Sequence, residues 1–456
     1  MMNLKGKKAV LVGMGRSSAG AARLLLREGA RPFVTDSADD PKMAPWKAEC
    51  ESLGVPFETG GHSPGRFAGA ELIVLSPGVP PGLAPFMEAR ERGVPVLGEL
   101  ELASRFCTAP VLAVTGTNGK TTVTELLRAM VAACGQTVVL AGNNDNPLSL
   151  AAMETVAPEF VVAEVSSYQL ETADTFRPWI GAALNLTPDH LARHGTMEGY
   201  AAVKARLFAR QQAGDAAVLN ADDRWTAAMP VPAGVLRVPF SVSRRMPDGV
   251  WADGERMYYR DRPVARREDN PLPGRHNLEN VLAALAVMAA GGFPMEGAVE
   301  GLRAFPGVEH RIEFVLEDGG CGYYNDSKST NVDSLRVALE SFDRPLVLIA
   351  GGRGKGSDYR VLRDLVQRRV AHLVAMGEDA PALLAAFGDI VPASRAADMR
   401  EAVALARGAA VTGCAVLLSP GCASFDLYDN FEQRGRDFKR LVRECRGAGA
   451  GEERAS

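Results

Sequence analysis

The segment Val111–Thr122, Val-Leu-Ala-Val-Thr-Gly-Thr-Asn-Gly-Lys-Thr-Thr, constrains this chain more than any other. An apolar, β-prone run ends at Thr115, a glycine-rich turn follows, and Lys120, Thr121 and Thr122 open a helical pattern that continues to about Ala133, with Gly135 as its stop. Strand, glycine turn, Lys-Thr and helix make a phosphate cradle. Backbone N–H groups and the helix N-terminus face the anion, the lysine adds a point charge, and the threonine hydroxyl can sit on Mg²⁺. The common form of the loop places four residues between its glycines. Here only Thr117 and Asn118 separate Gly116 from Gly119. The segment predicts a nucleotide site of variant spacing, against the alternative of an ordinary strand–turn–helix junction.

At 456 residues the chain exceeds a single core and predicts about three domains. A net charge of -4 argues against nucleic acid as the main partner. The seven cysteines (Cys50, Cys107, Cys134, Cys321, Cys414, Cys422 and Cys445) are scattered without a C-x-x-C pair, which predicts free thiols in a reducing cytoplasm. No apolar run reaches the ~18 residues of a membrane span, and no signal-peptide core precedes the first strand. The expectation is a cytoplasmic protein that inserts in no membrane.

Taken in order, Lys8–Val12 reads as a strand, Gly13-Met14-Gly15 as a turn, Ala19 to Glu28 as a helix, and Phe33 to Asp36 as a second strand. This resembles a dinucleotide-binding opening, but Ser18 stands where the third glycine belongs, so a nucleotide or sugar phosphate without nicotinamide fits as well. The strand Leu72–Leu75 runs into Ser76-Pro77-Gly78-Val79, either a ligand turn at a strand's carboxyl end or a plain tight turn. The first domain closes near Gly98. Gly142-Asn143-Asn144 follows a strand at Thr137 to Leu140. Phe160 to Val165 places Glu164 inside an apolar run, where an unpaired charge is costly, so a metal, a cation or a set of donors is expected beside it, against the alternative of a surface Glu on an edge strand. After the strand Gly181 to Leu186, His190 beside Asp189 reads as a metal ligand or as a capping or solvent residue. Lys204, with Tyr200 and Phe208 four residues to either side, reads as a snorkelling surface lysine. Residues 231–265 are poorly patterned, as in a peripheral hairpin. Asn277 and Asn280 open an apolar helix, as caps or as donors to a base or ribose.

A further domain begins near Gly307. His310-Arg311 precedes the alternating strand Ile312 to Leu316 with a turn at Asp318-Gly319-Gly320. Then Asn325-Asp326-Ser327-Lys328-Ser329-Thr330-Asn331 is polar throughout, a loop or a site. Leu346 to Ala350 leads into the glycine-rich 351–356, Leu373 to Met376 repeats strand-then-glycine, and Val416 to Leu418 runs into Ser419–Asp426 before a helix over about 430–446. Repeated strand–loop–helix units predict a second doubly wound sheet. Residues 447–456 read as a disordered tail.

Together these stretches resemble the Mur ligase family, the ATP-dependent amide ligases of peptidoglycan precursor synthesis. The resemblance covers Val10 to about Arg440. It is carried by the short-spaced Thr-Gly-Thr-Asn-Gly-Lys-Thr-Thr, by Ala-Glu-Val-Ser-Ser-Tyr-Gln-Leu around Glu164, by Asn-Leu-Thr-Pro-Asp-His-Leu around His190, and by Gly-Arg-His-Asn-Leu-Glu-Asn-Val. Asn-Asp-Ser-Lys-Ser-Thr-Asn and Leu-Ser-Pro-Gly-Cys-Ala-Ser-Phe-Asp are similar to the members that add D-glutamate to UDP-N-acetylmuramoyl-L-alanine. The resemblance implies an α/β chain of three domains: N-terminal Rossmann-like (1–98, UDP-substrate), central P-loop ATPase-like (99–307, ATP) and C-terminal Rossmann-like (308–446, D-glutamate). It further implies a monomer. Gly116, Thr117, Asn118, Gly119, Lys120, Thr121 and Thr122 would hold the ATP phosphates, Asn277 and Asn280 the adenine, and Arg311 and Asp326 the phosphate and ribose. Thr121 and Glu164 would serve one Mg²⁺, and His190 with a carbamate on Lys204 a second, which replaces the surface reading of that lysine. Gly13, Met14, Gly15, Arg16, Ser17, Asp36, Ser37, Ser76, Pro77 and Gly78 would bind the uridine diphosphate end, and Asn143 the middle of that substrate. Lys328, Thr330, Lys355, Ser424 and Phe431 would form the D-glutamate pocket.

Two departures from the family pattern stand out. Asn144-Asp145 replaces Ile-Gly after Asn143, which bears on substrate contacts, and Arg353 stands where an Asp is common. A sister ligase (a folylpolyglutamate synthase or the L-alanine-adding enzyme), a non-catalytic nucleotide module and a dehydrogenase are the competing readings. The nucleotide-binding first domain disfavours the folate enzyme, and Ser18 disfavours the dehydrogenase.

Overall fold

Three runs of strands and helices each close into a sheet of their own. The computed structural model describes residues 2–452 except Pro64, Asn144, Asp145, Lys355 and Ser357, with side chains as far as Cys445. The first sheet contains β1 (Lys8–Val12), β2 (Arg31–Thr35), β3 (Phe57–Glu58), β4 (Leu72–Leu75) and β5 (Val96–Gly98), all parallel, in the order β3-β2-β1-β4-β5. All four residues of β4, Leu-Ile-Val-Leu, are buried, as a parallel strand covered on both faces requires. The chain leaves β1 toward one edge and β4 toward the other, so the crevice between their carboxyl ends is a switch point, where such sheets receive ligands. The Gly13 and Ser76 turns lie there. The helix after β1 starts at Arg16 rather than Ala19, because extended Gly15 serves as its N-cap directly behind the turn.

The second sheet has nine strands: β6 (Val111–Thr115), β7 (Val138–Gly142), β8 (Phe160–Glu164), β9 (Ile180–Ala183), β10 (Ala216–Asn220), β11 (Leu236–Ser241), β12 (Val250–Ala252), β13 (Arg256–Tyr259) and β14 (Arg262–Arg266). Their order is β14-β13-β12-β11-β10-β9-β6-β8-β7. The phosphate loop therefore leaves β6 between the strand that ends in Glu164 and the strand that leads to His190. Residues 231–265 are more than a peripheral hairpin. β13 and β14 pair antiparallel, but β11 and β12 extend the parallel sheet and bury Val238, Phe240 and Val250. Leu11, Val34 and Val74 of the first sheet share one buried apolar cluster with Ala113, Val161 and Ala183 of the second. These two sheets accordingly form one compact unit, Met1–Pro271 with Glu279–Phe305.

The other unit, Leu272–Leu278 with Pro306–Ser456, holds the third sheet. It comprises β15 (Glu313–Asp318), β16 (Cys321–Asn325), β17 (Leu346–Gly351), β18 (Val370–Met376), β19 (Ala393–Ala396) and β20 (Ala415–Leu418), in the order β15-β16-β20-β17-β18-β19, parallel except for β15 with β16. Because β16, β20 and β17 are adjacent and parallel, the polar loops after them all leave the carboxyl ends of the strands. Two expectations are corrected here. Cys321 and Cys414 form a disulfide across 93 residues. The pairing follows from β16 lying beside β20, a long-range contact that cysteine spacing does not encode. The last helix is Phe431–Glu452, so it runs past Arg446 into the segment expected to be a disordered tail. Extending a formed helix adds a hydrogen bond for each residue fixed, without a new nucleation cost. Residues 453–456 lie outside the described residues. Among the described residues, no helix is long and apolar enough to cross a membrane.

Candidate active site

The phosphate loop is held open from beneath by the chain after β9. Thr117 N–H donates to the Asn185 carbonyl (2.8 Å), Asn118 N–H donates to Asn185 Oδ1 (2.9 Å), and Asn185 Nδ2 donates back to the Asn118 carbonyl (3.2 Å). Gly119 is the N-cap of the helix Lys120–Ala133, at φ +86 and with no side-chain cap, so the positive end of that helix lies at the loop. A Cβ at residue 119 would also lie 2.2 Å from Asn280 Oδ1, so only glycine fits. Lys120 Nζ folds onto the loop carbonyls of Gly116 (3.0 Å) and Thr117 (2.9 Å).

Glu164, at the end of β8, is 4% exposed. Its Oε2 accepts from Thr121 Oγ1 (2.8 Å) and its Oε1 from Asn143 Nδ2 (3.1 Å), so neutral donors surround it. The structure thus brings together the loop threonine, the strand-end carboxylate and Asn143, whose N–H also donates to the Glu164 carbonyl (2.8 Å). This cluster of hydroxyl, carboxylate and amide oxygen suits a hard cation such as Mg²⁺. Asn144 and Asp145 lie outside the described residues.

Lys204 is the clearest correction to the residue-level reading. It is 1% exposed, not a surface lysine. Its Nζ donates to the Gly116 carbonyl (2.9 Å) and Thr115 Oγ1 (3.3 Å) and sits 4.9 Å from the centre of the Tyr200 ring. Burial and the neighbouring Lys120 charge push its amine well below the usual lysine range, with Asp189 and Glu164 opposing. Tyr200, pushed up to about 12 by burial, places its hydroxyl 3.3 Å from Thr117 Oγ1.

His190 takes a left-handed backbone, φ 53, ahead of the short helix Leu191–His194. Its Nδ1 meets the Tyr168 hydroxyl at 3.1 Å, and its Nε2 lies 3.4 Å from Asp189 Oδ2. His194, four residues on, meets Ser167 Oγ through Nε2 (3.0 Å) and stacks on Tyr200 (5.2 Å, 28°). Burial pushes its imidazole down, against the pull of Glu171.

In the first sheet, Gly13 has φ +104, and a Cβ there would lie 2.7 Å from both Cβ and Oγ of Ser76, so the two turns touch. Ser18 Oγ bonds Ser76 Oγ (2.9 Å) in the place of the missing third glycine. Asp36 spends its carboxylate on the backbone, Oδ2 accepting from Met14 N–H (2.7 Å) and Oδ1 from Ala38 N–H (2.8 Å). It therefore shapes the turn. Arg16 and Ser37 are exposed, Ser17, Ser76 and Pro77 half-buried, and Gly78 exposed along the same edge.

In the second unit, Asp326 is wholly buried. Its Oδ1 accepts from Ile312 N–H (3.2 Å) and lies 3.9 Å from Arg311 Nη1, and its Oδ2 accepts from Ser419 Oγ (2.8 Å). Burial pushes the carboxyl up to about 6, with Arg311 pulling it down. Asn277 donates to the Pro273 carbonyl (2.7 Å). Lys328 Nζ lies 5.7 Å from the centre of the Phe431 ring, Ser424 is buried and Thr330 half-buried; Lys355 lies outside the described residues. Sequence reasoning missed Arg434, which is 2% exposed. It donates from Nε to Ser327 Oγ (3.0 Å), from Nη2 to the Ser327 carbonyl (2.8 Å) and from Nη1 to the Cys422 carbonyl (3.2 Å), tying the Lys328 loop to the Ser424 loop. Burial lowers its guanidinium to about 10. Nothing local marks this arginine among the others of its helix. A cavity of about 570 Å³ beside β18 and β19 is lined by Glu378, Glu401 and Asp426 with Arg395, a lining that repels a dicarboxylate.

Three family descriptions match successive parts of the chain: "Mur ligase MurD-like, N-terminal domain" over residues 7–98, "Mur ligase middle domain" over 114–288, and "Mur ligase, glutamate ligase domain" over 310–422. A UDP-N-acetylmuramoylalanine--D-glutamate ligase of Pelotomaculum thermopropionicum is 43% identical over 96% of this chain and 97% of its own. The chain belongs to the Mur ligase family. A ligase of the same name from Acidobacterium capsulatum is 42% identical over 98% of this chain and 99% of its own. Among solved structures, a UDP-N-acetylmuramate-alanine ligase from Thermotoga maritima superimposes with a TM-score of 0.62 at 19% identity, covering 96% of this chain and 100% of that one. That likeness establishes the three-domain α/β Mur ligase fold.

Proposed function

We propose that this protein joins D-glutamate to UDP-N-acetylmuramoyl-L-alanine, with cleavage of ATP to ADP and phosphate, in peptidoglycan precursor synthesis. The observation that carries the reading is the near-complete overlap, at 43% and 42% identity, with relatives named for that reaction. The geometry supports it. The alanyl carboxylate attacks the γ-phosphorus, ADP leaves, and an acyl phosphate forms. The amine of D-glutamate adds to the carbonyl carbon and loses a proton, and the tetrahedral adduct expels phosphate. The chain's contribution is to position the reactants, neutralise charge and exclude water. Lys120 would exchange the Gly116 and Thr117 carbonyls for phosphate oxygens. Thr121 and Glu164 would hold one Mg²⁺, and His190 with a carbamate on Lys204 a second; bound there, the ions neutralise phosphate charge. The buried, uncharged-leaning Lys204 amine is the form that adds to carbon dioxide, losing a proton to leave an acidic ligand.

The turns at Gly13–Ser17 and Ser76–Gly78, with Asp36, Ser37 and Asn143, would take the UDP substrate in a domain spanning 1–98. Asn277 and Asn280, in a domain spanning 99–307, would take the adenine of ATP, and Arg311 and Asp326 its phosphate and ribose. Lys328, Thr330, Lys355, Ser424 and Phe431, within 308–446, would take D-glutamate, whose two carboxylates call for cations and hydroxyls. Because ATP and a UDP-sugar are cytoplasmic compounds, we place the enzyme in the cytoplasm, acting as a monomer. Replacing Lys120 with Ala should abolish substrate-dependent phosphate release from ATP, and near-wild-type turnover by that variant would refute the scheme.

A further inference from the structure

Arg193 has no place in the scheme above, yet it touches both ends of it. Its side chain is 19% exposed. Nε donates to Glu171 Oε1 (3.0 Å) and Oε2 (3.2 Å), and Nη2 donates to Oε2 (2.6 Å), a fork that fixes the guanidinium plane. The same Nη2 donates to the Val79 carbonyl (3.2 Å), and Val79 N–H closes the Ser76–Val79 turn onto the Ser76 carbonyl (2.9 Å). On its other side the guanidinium carbon lies 5.3 Å from the centre of the Tyr168 ring, and the Tyr168 hydroxyl is the 3.1 Å partner of His190 Nδ1. Arg193 N–H donates to the His190 carbonyl (2.9 Å), so the arginine and the histidine share one short helical turn.

We propose that Arg193 is a positioning residue that couples occupancy of the Ser76–Val79 turn to the orientation of His190. The inference rests on the reading of that turn as part of the UDP-substrate site. A substrate phosphate or sugar seated against the turn fixes the Val79 carbonyl. Through Nη2 this fixes the guanidinium, and the guanidinium braces the Tyr168 ring whose hydroxyl sets the imidazole. The planar fork is what permits one side chain to serve Glu171, Val79 and Tyr168 together; a lysine offers one point charge and spans none of them at once. The tie runs between the first sheet and the second within their shared compact unit, and it gives the UDP end of the site a route to the phosphate end.

The test uses the full chain and the variants Arg193→Lys and Tyr168→Phe. Two quantities are read without ATP or metal: the calorimetric affinity for UDP-N-acetylmuramoyl-L-alanine, and the ring resonance of His190, assigned through His190→Asn in protein labelled with ¹³C-histidine. In the wild type, saturation with the substrate should shift the His190 resonance. In R193K affinity should fall about tenfold, within the usual range of coupling between sites, and at saturation the His190 shift should be lost. In Y168F affinity should stay within twofold of the wild type while the His190 shift is lost, which a general loosening of the fold would not produce. If R193K does not fold, Y168F still decides the second link. Wild-type protein that binds the substrate, with R193K or Y168F showing an undiminished His190 shift, overturns the coupling alone. Wild-type protein that binds no UDP substrate overturns the site reading and the coupling with it.

Discussion

Asp326→Asn provides the most quantitative check on how the second unit is built. Asp326 is sealed inside it, with Ile312 N–H, Ser419 Oγ and the nearby Arg311 as partners. Its folded value of about 6 stands against an ordinary 3.8, and at about 1.36 kcal/mol per pH unit the gap is worth about 3 kcal/mol. The native state holds this proton more tightly than the unfolded chain does. The stabilising contribution is therefore fully present below about pH 4 and is lost as pH rises through about 6. Between pH 4.5 and pH 8 the loss comes to about 2 kcal/mol, roughly a 30-fold change in the opening equilibrium. Hydrogen exchange of the β16 and β20 amides, corrected for intrinsic rates, reads that equilibrium directly. Protection in the wild type should fall by this factor between the two pH values. The Asp326→Asn variant, which carries no titrating proton at that position, should flatten the dependence by the same factor. An identical decline in both proteins would mean that the burial of an ionisable carboxyl at residue 326 is not its cause.

Two further substitutions probe the first unit. Lys204→Met keeps the buried stem but removes the amine, and should lower turnover by about 10²–10³-fold, the scale of losing one preorganised charge in a site; ¹³C-bicarbonate should give a carbamate signal in the wild type that this variant lacks. Gly13→Ala introduces a Cβ 2.7 Å from Ser76 at a backbone φ of +104. It should cost about 1–3 kcal/mol of stability and raise the KM for the UDP substrate with the KM for ATP unchanged, measured by thermal unfolding and steady-state kinetics.

What the sequence made legible was what is local along the chain. The phosphate loop is a contiguous strand–turn–helix, so Gly119 and Lys120 declare themselves, and Glu164 betrays its environment because a carboxylate inside Phe-Val-Val-Ala-Glu must find partners. The first sheet follows from its strand, glycine turn, helix and second strand, and the third from repeated strand–loop–helix units. What stayed hidden depends on elements far apart in sequence. Lys204 looks like an ordinary helical lysine until the end of β6 and the turn behind it bring Thr115 and Gly116 to its Nζ. Only the likeness to a family singled it out. Asp36 reads from the sequence only as the acidic end of a strand, and that its oxygens accept from the Met14 and Ala38 amides is a matter of the folded turn. Arg434 sits on a helix rich in charge and Arg193 on a single short turn, and only tertiary contacts distinguish either from a solvated arginine. The Cys321–Cys414 bond reflects strand adjacency in the same way.

The reaction itself is tested by phosphate release from ATP with UDP-N-acetylmuramoyl-L-alanine in the presence of D-glutamate, L-glutamate or L-lysine. Release should occur with D-glutamate alone. Equal release with L-lysine, or release that does not depend on an added amino acid, would contradict it.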